Sequence, residues 1–131
     1  MNLLLDTHIW IWNHLEPWRL SPRIHSALAD PKNELWLSPV SIWEFGLLLR
    51  KGRITLHREF TSWLEESVQA LQLREAPFSW RVAAVVRSLE IGHADPADRF
   101  LVATAKVFDL TLVTADELLI SASGLDVLAN R

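Results

Sequence analysis

The chain has no cysteine and no tyrosine, and only four glycines and one methionine, in 131 residues. Without cysteine there is neither a disulfide framework nor a thiolate metal site, and nothing in the composition points to an oxidising compartment. Long apolar runs are also missing: none approaches the ~20 residues that a membrane helix needs. The opening stretch, Met1 to Asp6, meets a charge too early for the core of a signal peptide. These absences lead to the expectation of a soluble cytoplasmic protein with no membrane contact. A formal net charge of −3 weighs against a domain that holds nucleic acid by a bulk positive field. It leaves room for a nuclease whose local charge is reversed by bound cations.

Half of the residues are hydrophobic, and the length suits one core, so we expect a single domain over residues 1–131. There is no repeat and no low-complexity stretch. Leu3–Leu5, Leu35–Leu37, Thr111–Thr114 and Leu125–Leu128 read as short buried strands, with Leu71–Arg74 a weaker one. Ser21-Pro22 opens a helix reaching about Ala29, and Ser38-Pro39 opens one reaching about Lys51, with Gly52 just beyond its end. Further helices are predicted over Glu59–Ala70, Ser79–Leu89 and Pro96–Phe108. Alternation of strand and helix implies an α/β fold with a mostly parallel sheet covered on both faces. In such sheets ligands bind at the carboxyl ends of the strands, where strand order reverses.

Four acids stand out against this pattern: Asp6, Glu44, Asp98 and Asp116. A carboxylate placed where the local pattern asks for a hydrophobe is neutralised by a proton, a basic partner or a metal ion. Lysine occurs only three times, which favours the metal. Asp6 closes the first strand and Asp116 follows another; each has an equally ordinary reading as a turn or helix-capping aspartate. Glu44 is the one charge between Pro39 and Leu49 and shares a helical stripe with Val40, Trp43, Leu47 and Leu48, so its carboxylate is expected to face the interior. Arg50 is too far along that helix to pair with it. In Asp95-Pro96-Ala97-Asp98, Asp95 suits the helix cap, whereas Asp98 lies on the stripe of Leu101, Val102 and Ala105 and turns inward. Converging at one crevice, the four would form an all-oxygen site selecting Mg²⁺ or Mn²⁺ rather than zinc or copper. The natural chemistry of such a site is phosphoryl transfer.

Leu3-Leu4-Leu5-Asp6-Thr7-His8, Ser41-Ile42-Trp43-Glu44, Asp95 through Ala105 and Leu112-Val113-Thr114-Ala115-Asp116 together resemble the PIN-domain ribonucleases, and more narrowly the VapC-type toxins of bacterial toxin-antitoxin pairs. The resemblance spans nearly the whole chain. It implies a three-layer α/β/α sandwich and Mg²⁺- or Mn²⁺-dependent endonucleolytic cleavage of RNA, leaving 5′-phosphate and 3′-hydroxyl ends. A cognate antitoxin that inhibits the enzyme is implied too, with a homodimer or a toxin-antitoxin hetero-oligomer as the assembly. Asp6, Glu44 and Asp98 match the family's three near-constant acids and Asp116 a more variable fourth, with Asp6 and Asp98 the direct ligands. Ala97 stands where the family often has a bulkier residue, and Asp95 belongs to a variant of the motif that leaves a supporting role open.

The remaining signals carry plainer readings. Of seven tryptophans, Trp10, Trp12, Trp18 and Trp43 could stack on unpaired bases, but core or partner-interface roles come first, with Trp10 and Trp12 assigned to a partner groove. His14, His25 and His57 read as surface residues, while His8 and His93 lie close to acidic motifs in sequence. Arg50, Lys51 and Arg53 suit either phosphate or the helix dipole, and Arg99 either RNA or a surface salt bridge. Two competing classes are a catalytically silent PIN-like interaction module and a Mg²⁺-binding receiver-type signalling domain. The receiver wants adjacent acids after the first strand and a lysine after the last; here Asp6 stands alone and Lys106 falls within a predicted helix.

Overall fold

The structure, a computed structural model, describes residues 1–92, 94–122 and 124–131. Among these, five strands form one sheet in the order β3-β2-β1-β4-β5: β1 (Asn2–Leu5), β2 (Glu34–Leu37), β3 (Arg74–Glu75), β4 (Thr111–Thr114) and β5 (Val127–Ala129). Every pairing is parallel. Leu3, Leu5, Leu35, Leu37 and Val113 point into one core, and Leu4, Trp36 and Leu112 into a second core on the opposite face. A strand buried on both faces needs apolar residues at every position, which is why Leu3-Leu4-Leu5 shows no polar alternation.

The helices complete three layers. On one face α1 (Thr7–Leu15), α2 (Pro22–Ala29), α3 (Pro39–Arg50) and α4 (Phe60–Leu71) supply Trp10, Ile24, Phe45 and Trp63 to the first core. On the other, α6 (Pro96–Phe108) and α7 (Glu117–Ile120) supply Leu101, Val102 and Leu119, and α5 (Trp80–Val86) packs on α6. Helix starts follow the predicted chemistry: Ser21 Oγ accepts from Ile24 N at 3.3 Å and Ser38 Oγ from Val40 N at 3.1 Å, each followed by proline. Gly52, at φ 70°, closes α3 in the left-handed region, and Arg53 N returns to Leu48 O at 3.0 Å.

Several element expectations shift. Leu71 ends α4 instead of starting a strand: Gln72 adopts φ 50° and Leu73 N bonds back to Val68 O at 2.9 Å, leaving Arg74–Glu75 as β3. The helix predicted to reach Leu89 stops at Val86, and the last strand begins at Val127 rather than Leu125. Helix α1 is not among the expectations. Ile9, Trp10 and Ile11 are all buried, so no polar stripe marks the helical period.

Trp10 corrects the expectation of a partner groove: it lies at the centre of the first core, 5.5 Å from the Phe45 ring and 5.4 Å from Trp63. Its Nε1 donates to Ser67 Oγ at 2.8 Å, and that hydroxyl lies 2.7 Å from His14 Nε2. His14, expected at the surface, is therefore half-buried on α1, and burial lowers its pKa. The Ser67 hydroxyl accepts from the indole N–H, which only donates, and shares a second hydrogen bond with His14 Nε2 whose direction follows the imidazole tautomer. Ser67→Ala strands both partners, and urea unfolding should show a loss of ~1–3 kcal/mol. A loss below about 0.5 kcal/mol would show the network to be dispensable.

Candidate functional site

Strand order reverses at β1: the chain builds outward through β2 and β3, then crosses β1 to place β4 and β5 on its other side. The carboxyl ends of β1 and β4 therefore open on a crevice that no crossover helix fills. Asp6 follows β1 directly, and its backbone N donates to Val113 O at 3.0 Å, tying it to the end of β4. Its Oδ2 accepts from Thr114 Oγ1 at 2.6 Å. The same Thr114 oxygen accepts from Asp116 N at 3.0 Å, while Asp116 Oδ1 accepts from Leu118 N at 2.9 Å and so caps α7. Helix α6 presents Asp98 from its first turn, with Asp95 capping it by accepting from Asp98 N at 2.8 Å. Helix α3 brings Glu44, and its start is pinned to α1 by Thr7 Oγ1 donating to Ser41 Oγ at 2.9 Å.

Asp6, Glu44, Asp95, Asp98 and Asp116 line one open cleft of about 340 Å³. His8, Trp12 and Ala115 complete its walls. A larger cavity of about 560 Å³ lies at the opposite, amino edge of the sheet, but its Glu34 and Arg74 already pair at 3.1 Å. Charge left without a partner locates the site better than volume does. Among the described residues none of the four candidate acids is in an ion pair. Burial raises the pKa of Asp6 above the usual aspartate range against the Thr114 hydrogen bond and the nearby His8, and the charge of Glu44 adds to the rise. Asp98, half-buried, is pushed up to about 7 by burial and by the charges of Asp95, Asp6, Asp116 and Glu44. Both carboxyls thus sit where a proton or a cation is favoured.

The donor set is all hard oxygen, as Mg²⁺ and Mn²⁺ prefer. Among the described residues no three His, Asp or Glu groups are arranged to hold one ion between them, so the cleft is a basin and not a closed cage.

Other expected residues fall elsewhere. Glu44 faces the cleft rather than the interior, because the buried line of α3 runs through Ser41 and Phe45 while Trp43 is 60% exposed. Arg50, Lys51 and Arg53 are exposed at the far end of α3, with Arg50 about 9 Å along the axis from Glu44, so they form no part of the cleft wall. Arg99 makes no surface salt bridge among the described residues: its Nη2 donates to Ile91 O at 2.8 Å and its Nε to Ala94 O at 3.3 Å, staying the loop before α6. Trp12, expected at a partner groove, lines the cleft. His93 lies outside the described residues. Thr114 was missed in the sequence, and no local signal could reveal it, since its partner is 108 residues away. The sheet order also differs from the 2-1-3-4-5 order of the flavodoxin type, which removes the receiver reading.

Comparison with known proteins agrees with this geometry. The family model for the PIN domain matches residues 3–125. Ribonuclease VapC22 of Mycobacterium tuberculosis is 34% identical over 115 residues, covering 87% of this chain and 86% of that protein. FitAcB from Neisseria gonorrhoeae superposes with a TM-score of 0.62 at 27% identity, covering 98% of this chain and 97% of that one. VapBC2 from Rickettsia felis, solved on a DNA fragment from its promoter, superposes with a TM-score of 0.71 over 98% of both chains; at 16% identity it speaks to the fold alone.

Proposed function

The chain belongs to the PIN-domain family, and on that premise we propose that it is an endoribonuclease, the toxin component of a toxin-antitoxin pair, dependent on Mg²⁺ or Mn²⁺. The observation that carries this reading is the convergence of Asp6, Glu44, Asp98 and Asp116, from four separate elements, on one open cleft with neither lysine nor arginine among its described lining residues. An RNA phosphate cannot approach five carboxylates unless their charge is offset, and hard divalent cations suit that donor set. The relatedness to Ribonuclease VapC22 supports RNA as the substrate, and the likeness to FitAcB, at 27% identity, supports an antitoxin partner.

A divalent ion bound here supplies Lewis-acid neutralisation of the phosphate and lowers the pKa of water. The chain's own groups divide the remaining work. Asp6, oriented by the Thr114 hydroxyl, and Asp98, presented by the first turn of α6, would hold the ion. Glu44 and Asp116 flank them and would accept hydrogen bonds from water held by the ion. Among the described residues no helix is long and apolar enough to cross a membrane. The direct test is sequencing of cleavage ends in cellular RNA treated with wild type and with Asp6→Ala. Discrete new 5′-phosphate ends that appear with wild type and Mg²⁺, and vanish with chelator or the variant, are expected. Ends that persist in the variant would overturn the assignment.

A further inference from the structure

We propose that His8, backed by Trp12, is the surface on which a base of the RNA stacks beside the scissile phosphate; this rests on the nuclease reading and adds a positioning site to it. The two residues are one turn apart on α1, and both line the acidic cleft. Their rings lie 5.7 Å apart with a 55° tilt, so the imidazole rests against an aromatic wall. Behind it the Trp12 ring is held by the Arg19 guanidinium, 5.2 Å from its centroid, and Arg19 is held in turn by Glu16 at 3.3 Å. His8 itself is exposed. A prearranged aromatic face with a fixed backing meets a base at little entropic cost.

The chemistry of the cleft favours such a contact. Its described lining holds carboxylates, Ala115 and these two rings, with neither lysine nor arginine to take a phosphate. A cation held by the acids would offset one phosphate, and the basic cluster Arg50, Lys51 and Arg53 lies off the cleft wall. Affinity for the adjoining nucleotide then falls to the two rings that the cleft presents, His8 and Trp12. Base stacking on an aromatic side chain is indifferent to the surrounding negative charge and is worth on the order of tenfold in affinity per base. Stacking also requires an unpaired base, so the preferred substrate is single-stranded or looped RNA rather than a duplex.

Binding of fluorescein-labelled octa-adenylate, and of a sugar-phosphate octamer without bases, is measured by anisotropy with Ca²⁺ in place of Mg²⁺. His8→Ala should weaken octa-adenylate binding roughly tenfold, while His8→Phe, which keeps a ring but no ring nitrogen, should stay within about twofold of wild type. The baseless chain should bind wild type and His8→Ala alike. Equal octa-adenylate binding by wild type and His8→Ala would overturn the proposal, as would a loss in His8→Phe equal to that in His8→Ala, which would assign the residue a hydrogen-bonding or proton-transfer role. Failure of the wild type to show any ion-dependent binding would sink the nuclease reading together with the platform. Ion-dependent binding that ignores residue 8 would sink the platform alone.

Discussion

Asp98→Asn should lower RNA cleavage by on the order of 10³-fold while making the ion-free protein more resistant to heat than wild type. The two effects share one cause. Asp98 is half-buried among Asp95, Asp6, Asp116 and Glu44, and its carboxyl is pushed up to about 7, so the charged form is the unfavourable one in the absence of a cation. An asparagine keeps the shape and removes the charge. The repulsion goes, and with it the anionic oxygen that attracts the ion. Preorganised electrostatic groups of this kind typically contribute ~10²–10³ each to rate, and an ion-holding group belongs at the upper end. Single-turnover cleavage and thermal unfolding of the same preparation check both halves. Activity within about tenfold of wild type would remove Asp98 from the ion-holding role. Lost activity with a lowered melting temperature would mean that the residue serves the fold instead. Asp6→Asn should lose cleavage to a similar extent, since its amide oxygen can still accept from Thr114 but carries no charge.

The second large effect is the response of stability to pH and to divalent ions. The Asp98 pKa is raised from 3.8 to about 7 in the folded protein, so its contribution favours the native state below about 4 and is lost as pH rises through about 7. Buried Asp6 is raised as well and acts in the same direction. Without divalent ions the acid cluster therefore destabilises the protein more at pH 8 than at pH 5.5. An ion reverses the sign of the local field and binds best when it has no proton to displace. At a hundredfold excess over its dissociation constant, Mn²⁺ should raise the melting temperature at pH 8 by roughly 10 °C. The rise at pH 5.5 should be much smaller, and Asp98→Asn should abolish most of it at both pH values. An equal shift at the two pH values, or one that survives in the variant, would place the ion elsewhere on the protein.

The strands and most helices were legible because each carries a local signal: Leu3-Leu4-Leu5 is apolar throughout, and Ser21-Pro22, Ser38-Pro39 and Gly52 mark helix ends with their own side chains or backbone angle. Helix α1 was not legible because burial around Ile9, Trp10 and Ile11 erases the stripe. Glu44 shows the limit of a stripe argument. The period placed it correctly on a face with Trp43 and Leu47 for neighbours, but whether that face meets core or cleft depends on where α1 and α6 pack.

The candidate acids divide in the same way. Their residue types and their places after strands or in first helical turns are properties of local sequence, and so is the capping that Asp95 and Asp116 perform. What tertiary structure alone decided is that these acids meet. The crossing from β3 to the far side of β1 opens the crevice, and Thr114 reaches Asp6 across 108 residues. It likewise decided that Trp10 belongs to the core and Trp12 to the cleft, two residues apart on a helix whose faces look in different directions. Sequence fixes what a residue can do by its chemistry and its local geometry. The partner that calls on that chemistry is set by packing between segments distant in the chain, and no local pattern encodes it.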